Sequence, residues 1–392
     1  MGISQNFAKR VGRMKPAAIR GILARMGPDC ISLAAGKPAE SLFPLETIYE
    51  KTGHMLEKNG PESMQYFSTT GFEPLREWVA SRVPGAKASN VLPINGSQQA
   101  IDIMGKLFVD PGDKVAVSAP TYTAAFSTLD TYEAEFIAVD SDTDGMIPES
   151  VEAVLQQAPK FLYCIPNFMN PTGVCMTLER RQAIVDLARQ YQVPILEDDP
   201  YGDLRFEGEP LPNLFELAPE QVIYAGTFSK ILAPGFRVGW MISSDEVFNE
   251  LMMTKQVSDL QVSTYAQMLL YEVVQGGFIE GQIERICAYY KKQRDTMLAA
   301  MDKHFPEGVT YERPSGGMFI WCELPEHLDA TEIVADAIAA DVAYVPGEPF
   351  FPPGQGKNTL RLSYSMASLE EIEVGIKRLG KVFKKAIANE PK

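Results

Sequence analysis

The chain is poor in histidine, cysteine and basic charge. Its 392 residues include only three histidines, His54, His304 and His327, and no His-Glu-x-x-His spacing. A histidine-rich metal site therefore has nothing to be built from, and no metal ion is expected. The five cysteines are Cys30, Cys164, Cys175, Cys287 and Cys322, scattered with no Cys-x-x-Cys pair. An odd, sparse set of this kind fits reduced thiols in a cytosol-like compartment. No apolar run approaches the roughly 20 residues needed to span a bilayer, and Asn6 stands where a myristoylation signal requires Ser or Thr. Thirty-six basic residues against 51 acidic ones give a net charge of −15. That sign excludes nucleic acid or an anionic membrane as the main partner, while small anions, which read local charge, stay open. The chain also lacks a Gly-x-Gly-x-x-Gly after a strand and a Gly-x-Ser-x-Gly elbow. Gly354-Gln355-Gly356-Lys357-Asn358 has neither the upstream glycine spacing nor the hydroxyl residue of a phosphate-binding P-loop.

What is present is ample core material, with 45% hydrophobic and 22% charged residues. The length suits two or three domains, or one large α/β unit with an appendage. From about residue 97 to 243, short apolar runs at 115–119, 136–139, 161–166, 195–199, 222–228 and 238–243 alternate with helical patterns. One of these, 177–191, places Ile184, Leu187, Ala188 and Tyr191 on one face with Thr177 as N-cap. Such alternation predicts a mostly parallel sheet between helices, with ligands at the carboxyl ends of its strands. A long helix is predicted at 278–304. A different texture follows, with strands at 317–324 and 360–365 and a helix at 331–340. The last helix opens on the capping box Ser368-Leu369-Glu370-Glu371 and buries Leu369, Ile372, Ile376, Leu379 and Phe383.

The strand ends carry the polar residues that chemistry would need. Glu197-Asp198-Asp199 closes a buried strand. These are either solvated carboxylates at a loop exit or acids held by a positive partner, since an unpaired buried charge is costly. Lys230, just past the 222–228 strand, is either a solvated loop lysine or a desolvated, nucleophilic amine. Thr227 and Ser229 beside it offer hydroxyls, and Arg237 offers a fork for phosphate oxygens. Asn95-Gly96-Ser97-Gln98-Gln99 is either an ordinary N-cap or an anion site at a helix start. Asn170-Pro171-Thr172-Gly173 reads as a β-turn, notable for following the 161–166 strand directly.

Each motif is weak alone, but their order is specific. Asn95-Gly96-Ser97-Gln98, Tyr122, Asn170-Pro171-Thr172-Gly173, Asp198 with Tyr201, Thr227-x-Ser229-Lys230, Arg237 and Arg361 fall in the order and approximate spacing of one family. From about Arg13 to Ala386 the chain resembles the fold-type I pyridoxal-phosphate aminotransferases. Within them it is most similar to the branch of α-aminoadipate/kynurenine and broad-specificity enzymes. The match includes Met64-Gln65-Tyr66-Phe67-Ser68-Thr69-Thr70-Gly71 and Glu197-Asp198-Asp199-Pro200-Tyr201.

The resemblance implies an α/β fold with a mostly parallel sheet and a smaller α+β domain. With the change of texture noted above, the expected division is an N-terminal segment 1–40 that completes part of the small domain, a large cofactor-binding domain 41–285 and a small C-terminal domain 286–392. Lys230 would form the Schiff base with pyridoxal 5′-phosphate and shuttle the proton. Asp198 would pair with the pyridine nitrogen, Asn170 and Tyr201 with the phenolic oxygen, and Tyr122 would stack on the ring. Ser97, Gln98, Thr227, Ser229 and Arg237 would hold the phosphate, joined by Tyr66 from a neighbouring subunit of a homodimer with shared sites. Arg361 would clamp the substrate α-carboxylate, with Gly36 and Asn170 beside it. Residues 1–28 hold six basic residues and no acidic one, a superficial likeness to a transit peptide. The likeness is set aside because Arg20, in Ile19-Arg20-Gly21-Ile22-Leu23, resembles the arginine of a substrate-gating segment that meets a distal carboxylate. Two departures fall near the expected substrate side, Phe168-Met169 before Asn170 and Lys37 where leucine is common, and Thr227 replaces a more usual serine with the hydroxyl kept. The motif-bearing chain starts near residue 13, so no N-terminal DNA-binding module is expected. The expected activity is transamination between an L-amino acid and a 2-oxo acid such as 2-oxoglutarate, in a cytoplasmic enzyme. The alternative is a β- or γ-lyase using the same Lys230–Asp198 pair.

Overall fold

The computed structural model describes residues 3–14, 21–22 and 24–389. In chain order its strands are β1 (Ile31–Ser32), β2 (Val91–Ile94), β3 (Lys114–Ala119), β4 (Glu135–Asp142) and β5 (Gly145–Met146). Then come β6 (Leu162–Cys164), β7 (Ile195–Asp198), β8 (Val222–Thr227), β9 (Gly239–Ile242) and β10 (Thr310–Tyr311). The last are β11 (Phe319–Glu323), β12 (Val342–Ala343), β13 (Val345–Pro346) and β14 (Thr359–Ser363).

Eight of them form one sheet in the order β2-β9-β8-β7-β6-β3-β4-β5. The five strands from β8 to β4 are parallel, while β9 is antiparallel to both β8 and β2. Strands β6, β7 and β8 are buried throughout, as their continuous apolar runs require when helices cover both faces. Successive side chains point to opposite faces: Tyr163 and Leu196 join one apolar cluster, and Leu162, Cys164 and Ile195 the other. The helix Leu178–Tyr191 starts at Thr177, whose side chain accepts from the Arg180 N–H at 3.4 Å.

Two reversals of direction bring two further segments to one edge of this sheet. Because β9 is antiparallel, its N-terminal end, next to Arg237, lies level with the carboxyl ends of β7 and β8. β2 reverses again, so its carboxyl end, followed by Asn95-Gly96-Ser97, arrives there too. Pro93 in β2 is tolerated because β2 is the outer strand of the sheet, pairing with β9 alone.

The C-terminal half-sheet is antiparallel, β10-β11-β14-β13, and β1 pairs in parallel with β12, so residues 31–32 lie with the C-terminal part of the chain. The helix Phe278–His304 runs unbroken through residue 285 and carries the chain from the large sheet to the small one. It packs against the helix Leu369–Ala388 at Gly380, where a Cβ would collide with the His304 carbonyl. Ser368 and Glu371 exchange both capping-box bonds, at 3.2 and 2.7 Å. No helix among the described residues is long and apolar enough to cross a membrane.

Candidate active site

A cavity of about 350 Å³ opens at the carboxyl edge of the large sheet, roofed by the small domain. β8 delivers Thr227, Ser229 and Lys230; β7 delivers Asp198 and then Tyr201; the loop after β6 delivers Asn170. The loop after β3 contributes Tyr122, the start of the helix Gln98–Phe108 contributes Ser97 and Gln98, and Arg237 enters from β9. Gly36, Phe319, Phe350 and Arg361 close the cavity from the N-terminal segment and the small domain.

The three consecutive acids take three different places, none of them a solvated loop exit. Glu197 is fully buried on the face away from the cavity and accepts the Leu214 and Phe215 N–H groups at 3.0 and 2.9 Å, capping a short helix. Burial and neighbouring Asp199 push its carboxyl up to about 8 against those two bonds. Asp199 accepts from the Tyr224 hydroxyl at 3.2 Å. Asp198 alone lines the cavity, with Oδ2 accepting from the Tyr163 hydroxyl at 2.9 Å and Oδ1 buried without a partner. Burial raises its carboxyl to about 6; the Tyr163 and Ser97 hydroxyls and Lys230 pull it down, and Asp199 adds to the rise.

Lys230 Nζ reaches the Gly36 carbonyl at 3.4 Å and lies 5.8 Å from the centre of the Tyr201 ring. Burial, then the Arg361 and Arg237 charges, lower its amine to about 8, with Asp198 opposing. Arg361 is 5% exposed. It donates from Nη1 to Asn170 Oδ1 at 2.7 Å and from Nη2 to the Ala34 carbonyl at 2.8 Å, with Nε left unpartnered. Its guanidinium lies 4.3 Å from the Phe319 ring centre and 5.2 Å from that of Phe350. No carboxylate pairs with it among the described residues. Burial pushes it down to about 10, so the site favours an incoming anion.

Hydroxyls and a second guanidinium gather at the other end. Thr227 Oγ1 and Ser229 Oγ are 2.9 Å apart, and Arg237 Nη2 donates to the Asn95 carbonyl at 3.2 Å. Gly96 has φ +77°, and a Cβ there would stand 2.7 Å from Arg237 Nη2, so the cradle needs glycine for both turn and space. The Gln98 side-chain amide is committed to Thr128 Oγ1 at 2.6 Å. What Gln98 offers the cavity is therefore its place in the first turn of the helix, where N–H groups lack intrahelical partners.

Ser97, Gln98, Tyr122, Asn170, Asp198, Tyr201, Thr227, Ser229, Lys230, Arg237, Arg361 and Gly36 thus meet in one cavity. Tyr66 does not: it stands on the surface, 78% exposed. Arg20 lies outside the described residues. Phe168 and Met169 do not line the cavity either; Phe168 is buried beneath Arg205 at 4.8 Å, and Met169 lines a neighbouring cavity. Lys37 is exposed. Sequence reasoning missed Phe319, Phe350 and Tyr163. The only signal for Tyr163 was a hydroxyl within the apolar run Phe161-Leu162-Tyr163-Cys164-Ile165.

The family model for aminotransferase class I and II matches residues 28–379. An aromatic-amino-acid aminotransferase from Thermococcus litoralis is 42% identical over 96% of this chain and 94% of its own. A 2-aminoadipate transaminase from Thermus thermophilus is 40% identical over 98% of each. Among solved structures, an α-aminoadipate aminotransferase from Thermus thermophilus, complexed with N-(5′-phosphopyridoxyl)-L-leucine, superimposes with a TM-score of 0.93. It is 39% identical and covers 99% of this chain and 100% of its own.

Proposed function

The chain belongs to the class I and II aminotransferases, enzymes of fold type I that depend on pyridoxal 5′-phosphate, and from that premise we propose its substrates, residue roles and assembly. It transfers the amino group of an L-amino acid, 2-aminoadipate, glutamate or an aromatic or aliphatic one, to a 2-oxo acid such as 2-oxoglutarate, in ping-pong order. The observation that carries this reading is Arg361, a buried guanidinium with no acidic partner among the described residues, in the same cavity as Lys230. The kinship with aromatic-amino-acid and 2-aminoadipate enzymes supports the substrate range.

The residues present fit the cofactor. Asp198 Oδ1, buried and unpartnered, suits a protonated ring nitrogen. The glycine-dependent cradle of Ser97, Gln98, Thr227, Ser229 and Arg237 suits a phosphate dianion. Tyr122, Asn170 and Tyr201 are left for the ring face and its phenolic oxygen. Bound there, pyridoxal phosphate supplies an aldehyde carbon and a ring that withdraws electrons from a carbanion. Lys230 Nζ, with its amine lowered towards neutrality, serves as the nucleophile that holds the cofactor and as the base that takes and returns the proton of substrate Cα. Arg361 orients the α-carboxylate, with Asn170 fixing one arm of its fork and the Ala34 carbonyl the other. Gly36 leaves room beside Phe319: a Cβ there would lie 2.8 Å from the ring. Arg20 receives the distal carboxylate of acidic substrates.

We further propose a cytoplasmic homodimer in which Tyr66 reaches the partner's phosphate. Tyr49, Met64, Tyr66, Val257 and Leu260 are large side chains left exposed on a single subunit. The Gln65 carbonyl accepts from Thr264 Oγ1, so the 64–66 segment lies against the start of the helix Thr264–Val274. The five free cysteines suit a reducing compartment. A panel of amino donors and 2-oxo acids tests the substrate assignment. Arg20→Ala is expected to lower kcat/KM for 2-oxoglutarate and 2-aminoadipate by about one to two decades, the worth of a hydrogen bond to a charged group, while sparing apolar amino acids. Equal losses for acidic and apolar substrates would remove Arg20 from recognition.

A further inference from the structure

We propose that Tyr163, a residue outside the cavity, is the positioning residue of Asp198: its hydroxyl holds Oδ2 so that Oδ1 is left for the cofactor ring. This rests on the reading of Asp198 as the partner of the ring nitrogen.

The geometry comes from the sheet. Tyr163 of β6 is in register with Leu196 of β7, and Leu196 and Asp198 share a face because side chains alternate along a strand. The phenol therefore runs along that face, past one residue pair, to the strand end. Its ring is fully buried and packs in the apolar cluster with Leu196. Packing accounts for the ring but not for its oxygen, whose bond is to Asp198 Oδ2, at 2.9 Å. With one oxygen held by Tyr163 and Asp198 lining the cavity, the other oxygen, buried and unpartnered, is the one left for the ring.

The phenol is a dependable donor. Burial and the Asp198 charge keep its own proton on well above the ordinary tyrosine range. The titratable and polar groups that act on Asp198 are Tyr163, Ser97 from the helix start, Tyr201, Tyr122 and Lys230, with Cys164 and Asp199 acting from the opposite face. Of these, only Lys230 brings a positive charge, and it titrates on the alkaline side. Against burial, then, the Tyr163 hydroxyl is the leading influence that keeps the carboxyl ionised near neutrality.

The test is Tyr163→Phe, which keeps the ring and deletes the oxygen. Dissociation constants for pyridoxal phosphate are measured on reconstituted enzyme by equilibrium dialysis from pH 5 to 9, with the melting temperature of each apo-protein. The variant is expected to bind the cofactor more weakly. The acid-side loss of affinity should move up by about one to two pH units, the equivalent of one hydrogen bond to a charged group. A purely structural tyrosine would lower the melting temperature and leave that limb in place, which would overturn the proposal. Asp198→Asn separates the two levels. If Asp198→Asn leaves affinity unchanged, the assignment of Asp198 to the ring nitrogen fails. If it weakens binding while Tyr163→Phe shifts nothing, only the role of Tyr163 fails. In the double variant, Tyr163→Phe should add no further pH shift; a full additional shift would overturn the proposal.

Discussion

Replacing Arg361 by lysine keeps a positive charge in the cavity and removes the fork. The arginine is anchored at both terminal nitrogens, to Asn170 at 2.7 Å and to the Ala34 carbonyl at 2.8 Å, and braced by the Phe319 ring at 4.3 Å. A lysine ammonium is a point charge on a flexible stem and cannot satisfy Asn170, Ala34 and a carboxylate in one plane. The loss is at least one charge-assisted hydrogen bond to the substrate, about 1.5–3 kcal/mol, or one to two decades in kcat/KM. Since Arg361 binds no phosphate in this account, the cofactor dissociation constant should change by less than about threefold, far inside one decade. The assay is steady-state kinetics with several amino donors, alongside cofactor titration of the apo-enzyme. A common loss across all donors, acidic and apolar, is expected because every amino acid carries the α-carboxylate. Unchanged kcat/KM, or a loss confined to acidic donors, would refute the assignment.

Three further outcomes are expected. Covalent attachment of pyridoxal phosphate to Lys230 requires the free amine, so its rate should rise with pH and level off above about 8, where this amine has lost its proton. Stopped-flow absorbance of the reconstituting apo-enzyme reads this, and a rate still climbing at pH 10 would place Lys230 among ordinary lysines. Gly36→Ala should force the Phe319 ring away from its position beside Arg361 and lower kcat/KM tenfold or more, as an angstrom-scale misplacement does, with cofactor affinity kept; near-native kinetics would show that the ring yields freely. Tyr66→Phe should weaken cofactor retention by about one to two decades in dialysis, the loss of one hydrogen bond to a charged phosphate, without changing the melting temperature of the apo-enzyme, and sedimentation should return a dimer. A fully active monomer would contradict the shared site.

The large sheet was legible because its central strands are buried on both faces and therefore appear as uninterrupted apolar runs. The runs at 195–199 and 222–228 differ from β7 and β8 by a residue at one end. β2 was not anticipated, since Pro93 interrupts its run and only its outermost place in the sheet tolerates a proline. The two-residue strands β1 and β12 carry no periodicity to read, and they exist through pairing between segments some 310 positions apart. The polar strand-end motifs located the cavity, yet composition could not tell Glu197, a buried helix cap, from Asp198, which faces the cavity. Alternation assigns the two to opposite faces but does not say which face holds the cavity. Tyr163 was hidden because its ring satisfies the apolar pattern and only its oxygen does otherwise. Phe168 and Met169, adjacent in sequence to Asn170, were placed on the substrate side by that adjacency. The backbone turns at Phe168, φ +47°, and carries its side chain under Arg205 instead.

The central claim, that Lys230, Asp198 and Arg361 together perform transamination, is tested most directly by a single turnover with an amino donor alone. Holoenzyme mixed with glutamate and no oxo acid should release one 2-oxoglutarate per site, lose the long-wavelength absorption of the cofactor held by Lys230, and stop. Adding a 2-oxo acid should restore the absorption and release the corresponding amino acid, and Lys230→Ala should do neither. Continued release of ammonia and oxo acid from one substrate, for example from a donor bearing a β-leaving group, with the absorption retained, would contradict the account and place the enzyme among the lyases.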